Sequence, residues 1–355
     1  MNESTAALDE RLIESAVGTL EIFGVYLGRK LGLYEAISAA GSVTPGELAD
    51  AAGIYERYAQ EWLEQQAVSG YLTVARESSD AAGRSYGLSE EQAAVLVRKD
   101  DPSYVSPLAS AAAGIAAVLD RVVDAYRTGS GVSYRAYGED FRTGQGGINR
   151  PAFTSDLITD WIPSAPNVHK KVTDENIRIA EVGCGQGWAS IALASAYPNA
   201  EVVGIDADAA SIEDARRFAA ERGVNVKFEN VSGESIAEFG PFDVVLVLET
   251  LHDLARPTEV LSSIRKSLDH DGVVLIADER VADSFSAPGD LMERMMYGWS
   301  ITHCLPASLA EQPSAGLGTV LRSDTVRRLG TEAGFSKIDV LDTDAGFFRL
   351  YTLSD

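Results

Sequence analysis

Apolar residues recur at helical spacing through residues 8–72: Leu12, Ala16, Leu20, Phe23 and Leu27 fall on one face of a long helix. Thr44-Pro45 reads as an N-cap followed by proline at the first helical position, predicting a helix over 46–52 that stops at Gly53. A second helix is predicted over 55–69, stopping at Gly70, and strand-like pieces at 71–75 and 85–88 flank a polar turn. Helix, turn, helix and wing in this order predict a mainly α winged-helix domain over residues 1–102.

The pattern then changes. Residues 103–170 read as a helical bridge and lid, broken at Arg127-Thr128-Gly129-Ser130-Gly131, followed by Tyr134, Tyr137 and Phe141, with Pro163 and Pro166 marking its end. From 171 to 355 strands alternate with helices. Strands are predicted over 177–182, 201–205, 226–228, 242–248 and 273–277, with helices over 188–196, 209–221, 257–268 and 323–333 between and after them. Strands over 337–341 and 347–353, joined through Asp342-Thr343-Asp344, suit an antiparallel hairpin at a sheet edge. The fold class is α/β: a Rossmann-like, mostly parallel sheet covered on both faces, preceded by the winged helix.

Composition narrows the function. The 355 residues carry a formal net charge of -23, which repels phosphate backbones. The helix over 55–69 holds Glu56, Arg57, Glu61 and Glu64, whereas a recognition helix facing DNA is basic. The winged helix is therefore expected to dimerise the chain rather than bind nucleic acid. No stretch reaches the about 18 apolar residues of a membrane span, and Met1-Asn2-Glu3-Ser4 does not begin a signal peptide, so a cytoplasmic enzyme is expected. Two cysteines, Cys184 and Cys304, exclude a disulfide framework. Metal or acid-base chemistry draws on four histidines, of which His169 and His270 stand in polar surroundings.

Glu181-Val182-Gly183-Cys184-Gly185-Gln186-Gly187 follows the first strand of the second domain and opens a helix. Glycines there let a ligand approach the backbone, and Asp206, ending the next strand, can accept both hydroxyls of a ribose. A nicotinamide dinucleotide is the rival ligand, but its motif spaces the third glycine three positions after the second, not two. Together with Gly204-Ile205-Asp206, Pro241-Phe242-Asp243-Val244-Val245 and Leu268-Asp269-His270-Asp271-Gly272, the loop resembles the motifs of class I S-adenosylmethionine-dependent methyltransferases. The resemblance implies S-adenosylmethionine as methyl donor, bound by Glu181, Gly183, Gly185, Asp206 and Ala207. It also places Ser232 and Gly233 beside the adenine, where the family usually has an acidic residue, and Glu249 at the crevice edge.

The winged domain, bridge and methyltransferase domain together resemble the small-molecule O-methyltransferases, in which a His-Asp pair follows strand four and the histidine is the general base. Here that pair is His252-Asp253. With His303, in Ile301-Thr302-His303-Cys304-Leu305-Pro306, it also resembles the α-keto acid C-methyltransferases of peptide antibiotic biosynthesis. That resemblance implies one transition metal ion, zinc or iron, held by His252, Asp253 and His303, and a homodimer. A carbon beside a ketone must lose a proton before it can attack a methyl group. A metal chelated by the keto oxygen and carboxylate stabilises the resulting enolate as a Lewis acid, and two histidines plus a carboxylate leave positions open for that chelate.

C-methylation of an α-keto acid at its β-carbon is thus the leading expectation, and metal-free O-methylation with His252 as base the alternative. Adjacent residues of a regular strand face opposite ways, so the metal reading requires an irregular turn after Leu248. Arg127, ending a helix near several aromatics, is a candidate to grip a substrate carboxylate, with a solvated helix end as its structural reading. Met292, Met295, Met296, Tyr297 and Trp299 suit either a pocket wall or plain core.

Overall fold

A computed structural model describes residues 3–174 and 176–355; Met1 and Asn2, with which the reading of the N-terminus begins, lie outside it, as does Glu175. The chain divides into two compact units, Met1–Ala116 with Glu139–Pro151, and Ala117–Gly138 with Ala152–Asp355. The stretch 103–170, expected as one bridge, is shared between them. Among the described residues no helix is long and apolar enough to cross a membrane.

The first unit contains α1 (Glu3–Lys30), α2 (Leu33–Ala40), β1 (Ser42–Val43), α3 (Pro45–Ala52), α4 (Glu56–Val68), β2 (Thr73–Arg76) and β3 (Ser85–Gly87). The cap read at Thr44 is a full capping box: Thr44 N donates to Glu47 Oε2 at 2.7 Å, and Glu47 N to Thr44 Oγ1 at 3.4 Å. Gly53 ends α3 with a φ of 64°, a left-handed conformation that costs glycine least. The wing is a three-stranded antiparallel sheet in the order β1-β3-β2, one strand more than the pattern predicted. Leu33, Tyr34, Ile37, Leu48, Leu63 and Tyr86 fill its core, each burial contributing about 1.5–3 kcal/mol.

The second unit is built on β4 (Arg178–Val182), β5 (Glu201–Asp206), β6 (Lys227–Asn230), β7 (Phe242–Leu248), β8 (Leu268–Glu279), β9 (Lys337–Val340) and β10 (Phe348–Ser354), in the order β6-β5-β4-β7-β8-β10-β9. β4 pairs in parallel with β5 on one side and β7 on the other, so the strand order reverses there and opens a crevice outside the carboxyl ends of these strands. Successive residues of β7 serve opposite faces. Val244 and Leu246 pack with Leu157, Trp161 and Leu193, while Val245 and Val247 pack with Val260, Ile264 and Val326. The near-continuous apolar run of this strand follows from burial on both sides.

The expected hairpin forms at the sheet edge: β10 lies between β8 and β9, antiparallel to both, with β9 outermost. One expectation needs correction. β8 runs to Glu279 rather than ending at Ala277, because β10 extends the pairing through Arg349–Asp278 and Phe348–Glu279. This carries two acidic residues to the carboxyl end of a central strand.

Candidate active site

The donor side begins where β4 ends. Gly183 N and Cys184 N donate to Ile205 O at 2.8 and 3.1 Å, tying the loop to β5. The loop glycines do different work. A Cβ on Gly183 would lie 2.2 Å from the Thr250 side chain, and one on Gly187 would lie 2.7 Å from Phe228, so packing requires both. A Cβ on Gly185 would meet nothing within 4 Å: its φ is 50° and it faces open space. That is the position where a ligand can approach the backbone.

Asp206 accepts from Gly185 N at 2.8 Å and Asp208 N at 2.7 Å. Burial pushes its carboxyl up to about 6 against these two hydrogen bonds. Glu181 is buried and accepts from Ser190 N at 2.9 Å and Ser190 Oγ at 2.5 Å; burial pushes it up to about 8. The Ala207 and Asp206 carbonyls both accept from Asn230 Nδ2 at 3.0 Å. Ser232 Oγ caps a 3₁₀ turn, accepting from Glu234 N at 3.3 Å, and a Cβ on Gly233 would press within 2.9 Å of Val182. An open-faced glycine beside a strand-end carboxylate is an arrangement that can take an adenosyl cofactor.

The acceptor side depends on the irregular turn. β7 stops at Leu248, Glu249 adopts a φ of 49° with its N–H donating to Ala277 O at 2.7 Å, and residues Leu251–Asp253 form one 3₁₀ turn. The turn brings His252 and Asp253 to one side, with Nε2 3.4 Å from Asp253 Oδ1. Asp278, at the end of β8, clamps His252 twice: its Oδ1 lies 2.9 Å from Nδ1, and its Oδ2 accepts the His252 backbone N–H at 3.3 Å. Burial works against charging this imidazole, but the carboxylates of Asp278 and Asp253 outweigh it and hold His252 well above the usual histidine range. Burial, reinforced by the nearby Glu249, likewise raises Glu279 well above the carboxylate range.

The third contribution comes from Ser300–Cys304, which continue the helix Leu291–Trp299 as a π-turn. The ligand atoms of His252, Asp253 and Cys304 all lie within 4.8 Å of one another. Among the described residues this is the metal-capable set that forms, and Cys304 stands in it where His303 was expected. The ring nitrogens of His303 fall outside this set. His303 Nδ1 lies 3.4 Å from Cys304 Sγ, and its ring packs edge-on to Tyr137 and Tyr134 at centroid distances of 4.5 and 5.9 Å. Burial holds its pKa down to about 3, keeping it neutral, whereas burial pushes the Cys304 thiol up to about 12.

The remaining predicted positions separate clearly. Arg127 is exposed at a helix end, its NH1 3.2 Å from Asp124 Oδ1, the solvated setting favoured by the helix dipole rather than a carboxylate grip. Met296 is buried, while Leu291 and Tyr297 are exposed. His169 and His270 are exposed, as their sequence surroundings implied. Asp278, Glu279, Cys304 and Tyr137 were not singled out from the sequence as site residues. Asp278 carried a usable signal: an acidic residue directly after a five-residue apolar strand stands at the carboxyl edge, where ligands bind.

Residues 173–314 match a family described as a methyltransferase domain, and residues 19–98 match the Rv2258c-like winged HTH domain. Among curated proteins, the ubiquinone biosynthesis O-methyltransferase of Cereibacter sphaeroides is 33% identical over 102 residues, which are 28% of this chain and 40% of that protein. The enzyme of that name from Pseudomonas fluorescens is 32% identical over 123 residues, 34% of this chain and 50% of that protein. The match thus spans half or less of the length of these relatives.

Solved structures match over nearly the whole chain. The mitomycin 7-O-methyltransferase superposes with a TM-score of 0.67 at 18% identity, covering 99% of this chain and 98% of its own. Human N-acetylserotonin methyltransferase, in complex with S-adenosylmethionine, gives 0.66 at 15% identity, covering 100% and 98%. An O-methyltransferase family protein from Burkholderia thailandensis also gives 0.66 at 15% identity, covering 100% and 98%. At these identities the likeness establishes the fold: a Rossmann-like methyltransferase domain preceded by a winged helix.

Proposed function

We propose that this chain, which carries a methyltransferase domain preceded in sequence by a winged helix-turn-helix domain, is an S-adenosylmethionine-dependent methyltransferase that methylates a hydroxyl oxygen of a small molecule. The observation that carries the reading is His252 at the carboxyl end of β7, clamped through Nδ1 by Asp278 at 2.9 Å. A clamp on Nδ1 fixes the tautomer and leaves Nε2 as the proton acceptor. The O-methyltransferases among the relatives and the matched structures support oxygen over carbon.

Bound S-adenosylmethionine supplies an electrophilic methyl group on sulfur. Gly185 and Asp206 hold it, with Gly183 packed on Thr250 and Glu181 and Ser190 bracing the loop. His252 Nε2 takes the acceptor's hydroxyl proton as the C–O bond forms and the C–S bond breaks, leaving S-adenosylhomocysteine and the methyl ether. Alignment of the attacking oxygen with the methyl group by the crevice removes much of the entropic barrier. Because carboxylates hold His252 above its usual range, the base form fills only on the alkaline side. A neutral phenol or alcohol also suits a cluster of Glu249, Asp253, Asp278 and Glu279 better than an anionic acid does.

A second reading, β-carbon methylation of an α-keto acid, is favoured by the convergence of His252, Asp253 and Cys304. Their nitrogen, oxygen and sulfur donors fit a zinc or ferrous ion. Such an ion would supply Lewis-acid stabilisation of the enolate and offset the cluster's negative charge. Two assays separate the readings. Hydroxylated aromatics should give methyl ethers with chelator-stripped enzyme; strict dependence of turnover on added metal, with α-keto acids alone accepted, would overturn the oxygen reading.

Self-association is proposed through α1, whose Leu8, Leu12 and Leu20 are about two-thirds exposed.

A further inference from the structure

We propose that Glu279 is a positioning residue: its carboxyl group donates a hydrogen bond to the Glu249 carboxylate and so holds the left-handed backbone that turns the chain toward His252. The inference rests on the oxygen reading above only where turnover is its readout. Glu249 has a φ of 49°; among the described residues Asn176 is the other non-glycine in that region. A short asparagine side chain supports this conformation locally, whereas glutamate needs an outside partner to hold it. The turn is tied on two sides. Leu248 closes β7 against Ala277, and Glu249 N donates to Ala277 O at 2.7 Å. Thr250 Oγ1 donates to Leu248 O at 2.9 Å and lies 3.3 Å from Gly183 O. Moving Glu249 therefore disturbs His252 in one direction and the glycine loop in the other.

The outside partner comes from the neighbouring strand. Glu279 is the last residue of β8; it is buried, and its backbone N–H donates to Asp278 Oδ1 at 2.9 Å. The side chains of Glu279 and Glu249 are hydrogen-bonded to each other. Two ionised carboxylates are acceptors only, so this bond requires one proton on the pair. Glu249 is half-buried and Glu279 more deply buried, and desolvation penalises the charged form most at the buried member, which places the proton on Glu279. Burial and then the Glu249 charge raise the Glu279 carboxyl well above its usual range; Asp278 adds to this and His252 opposes it. The arginines beside it are engaged elsewhere, Arg280 with Asp344 and Arg349 with Asp283, each at 2.9 Å.

The bond gives the turn a direction in pH. While Glu279 keeps its proton, the pair carries one negative charge and the turn is held. The proton stays between the two carboxyl groups and does not pass to the substrate. Its loss to solvent leaves two carboxylates facing each other, and their repulsion releases the left-handed residue and the base beyond it. The folded chain holds this proton more tightly than the unfolded one, so the associated stability is present at acid and neutral pH and is lost on the alkaline side. Order of the turn and activity fall together there.

The test compares full-length protein with Glu279→Gln, whose amide donates the same bond without titrating, and Glu279→Ala, which donates none. Infrared difference spectra of wild type against Glu279→Gln should show a protonated-carboxyl band at neutral pH that disappears toward alkali; the subtraction removes the raised Glu181 acid. The Glu249 amide, bonded to Ala277, should exchange at least about ten-fold faster in Glu279→Ala than in wild type, and near the wild-type rate in Glu279→Gln. In kcat/KM, alanine should lose about 10- to 100-fold, the scale of a misplaced catalytic group, and glutamine should recover most of that loss without the alkaline decline. Absence of a titrating carboxyl band overturns the proposal, and so does a glutamine variant that exchanges as fast as the alanine one. The infrared comparison needs neither turnover nor a folded alanine variant. A protein that shows the band and the protected amide but methylates no hydroxyl overturns the oxygen reading and supports the Glu279 bond.

Discussion

The two sides of the crevice are built from the chain in different ways. Glu181 to Asp208 form one strand–helix–strand unit that supplies the glycine loop, the buried glutamate and the strand-end aspartate, all tied by backbone hydrogen bonds. The acceptor side draws His252 and Asp253 from a turn after β7, Asp278 and Glu279 from the end of β8, and Cys304 from a π-turn. A locally built site depends mainly on backbone conformation, and its parts fail one at a time. A site assembled from three segments depends on tertiary register and shares one set of buried charges, so its parts are coupled and their effects are not additive.

The largest expected effect breaks the acceptor side while sparing the donor side. His252→Ala should lower kcat by about 10²–10⁴, the range for loss of a general base, with the S-adenosylmethionine dissociation constant unchanged by calorimetry. A parallel loss of cofactor affinity would mean that the two sides are not separable.

Within the donor loop, Gly183→Ala and Gly185→Ala should divide structure from binding. The Gly183 substitution collides with Thr250 at a φ of 73° and should cost about 1–3 kcal/mol in urea unfolding. The Gly185 substitution meets no chain atom, so its loss should fall more heavily on cofactor affinity. Equal losses of stability with unchanged affinity would remove Gly185 from the cofactor site.

Asp278→Asn tests the coupling. Asp278 and Asp253 raise His252, and Glu279, Cys304 and His303 surround the same cluster. Removing the Asp278 charge should lower the histidine's pKa, moving the rising limb of the kcat/KM profile toward acid while kcat falls. An unmoved limb would show that another group titrates there.

The smallest effect is on stability. Glu181 is raised from 4.5 to about 8 by burial, so the folded state binds its proton more tightly than the unfolded chain. The associated stability is full below about pH 4.5 and is lost as pH rises through about 8. Glu181→Gln should flatten that decline, read as Tm between pH 5 and 9, where about 1 kcal/mol shifts Tm by about 2–4 °C. Parallel curves for the two proteins would assign the decline to other groups.

Much of this was legible in the sequence because it is local. The N-cap at Thr44, the stop at Gly129, the helix Trp188–Ala196 and the strand Phe242–Leu248 each carry their own start and stop signals, and each appears as read. The irregular turn after Leu248 was expected from the adjacency of His252 and Asp253, if both are to face one ion. The insertion of β10 between β8 and β9 was not readable, since a hairpin's spacing does not state which of its strands meets the sheet. The extra length of β8 follows from that insertion, and with it the placement of Asp278.

By itself, the sequence determined a winged helix followed by a Rossmann-like domain, with a glycine loop and Asp206 at the carboxyl ends of its strands. Periodicity, caps and turn glycines act over a few residues, and the chain states them directly. Only the tertiary structure decided which residues surround His252. The register of β8 against β10 delivers Asp278, and the segment Ser300–Cys304 brings Cys304 rather than His303 into the set with His252 and Asp253. Both depend on contacts between segments far apart in the chain, where a shift of one residue turns a side chain away from the site.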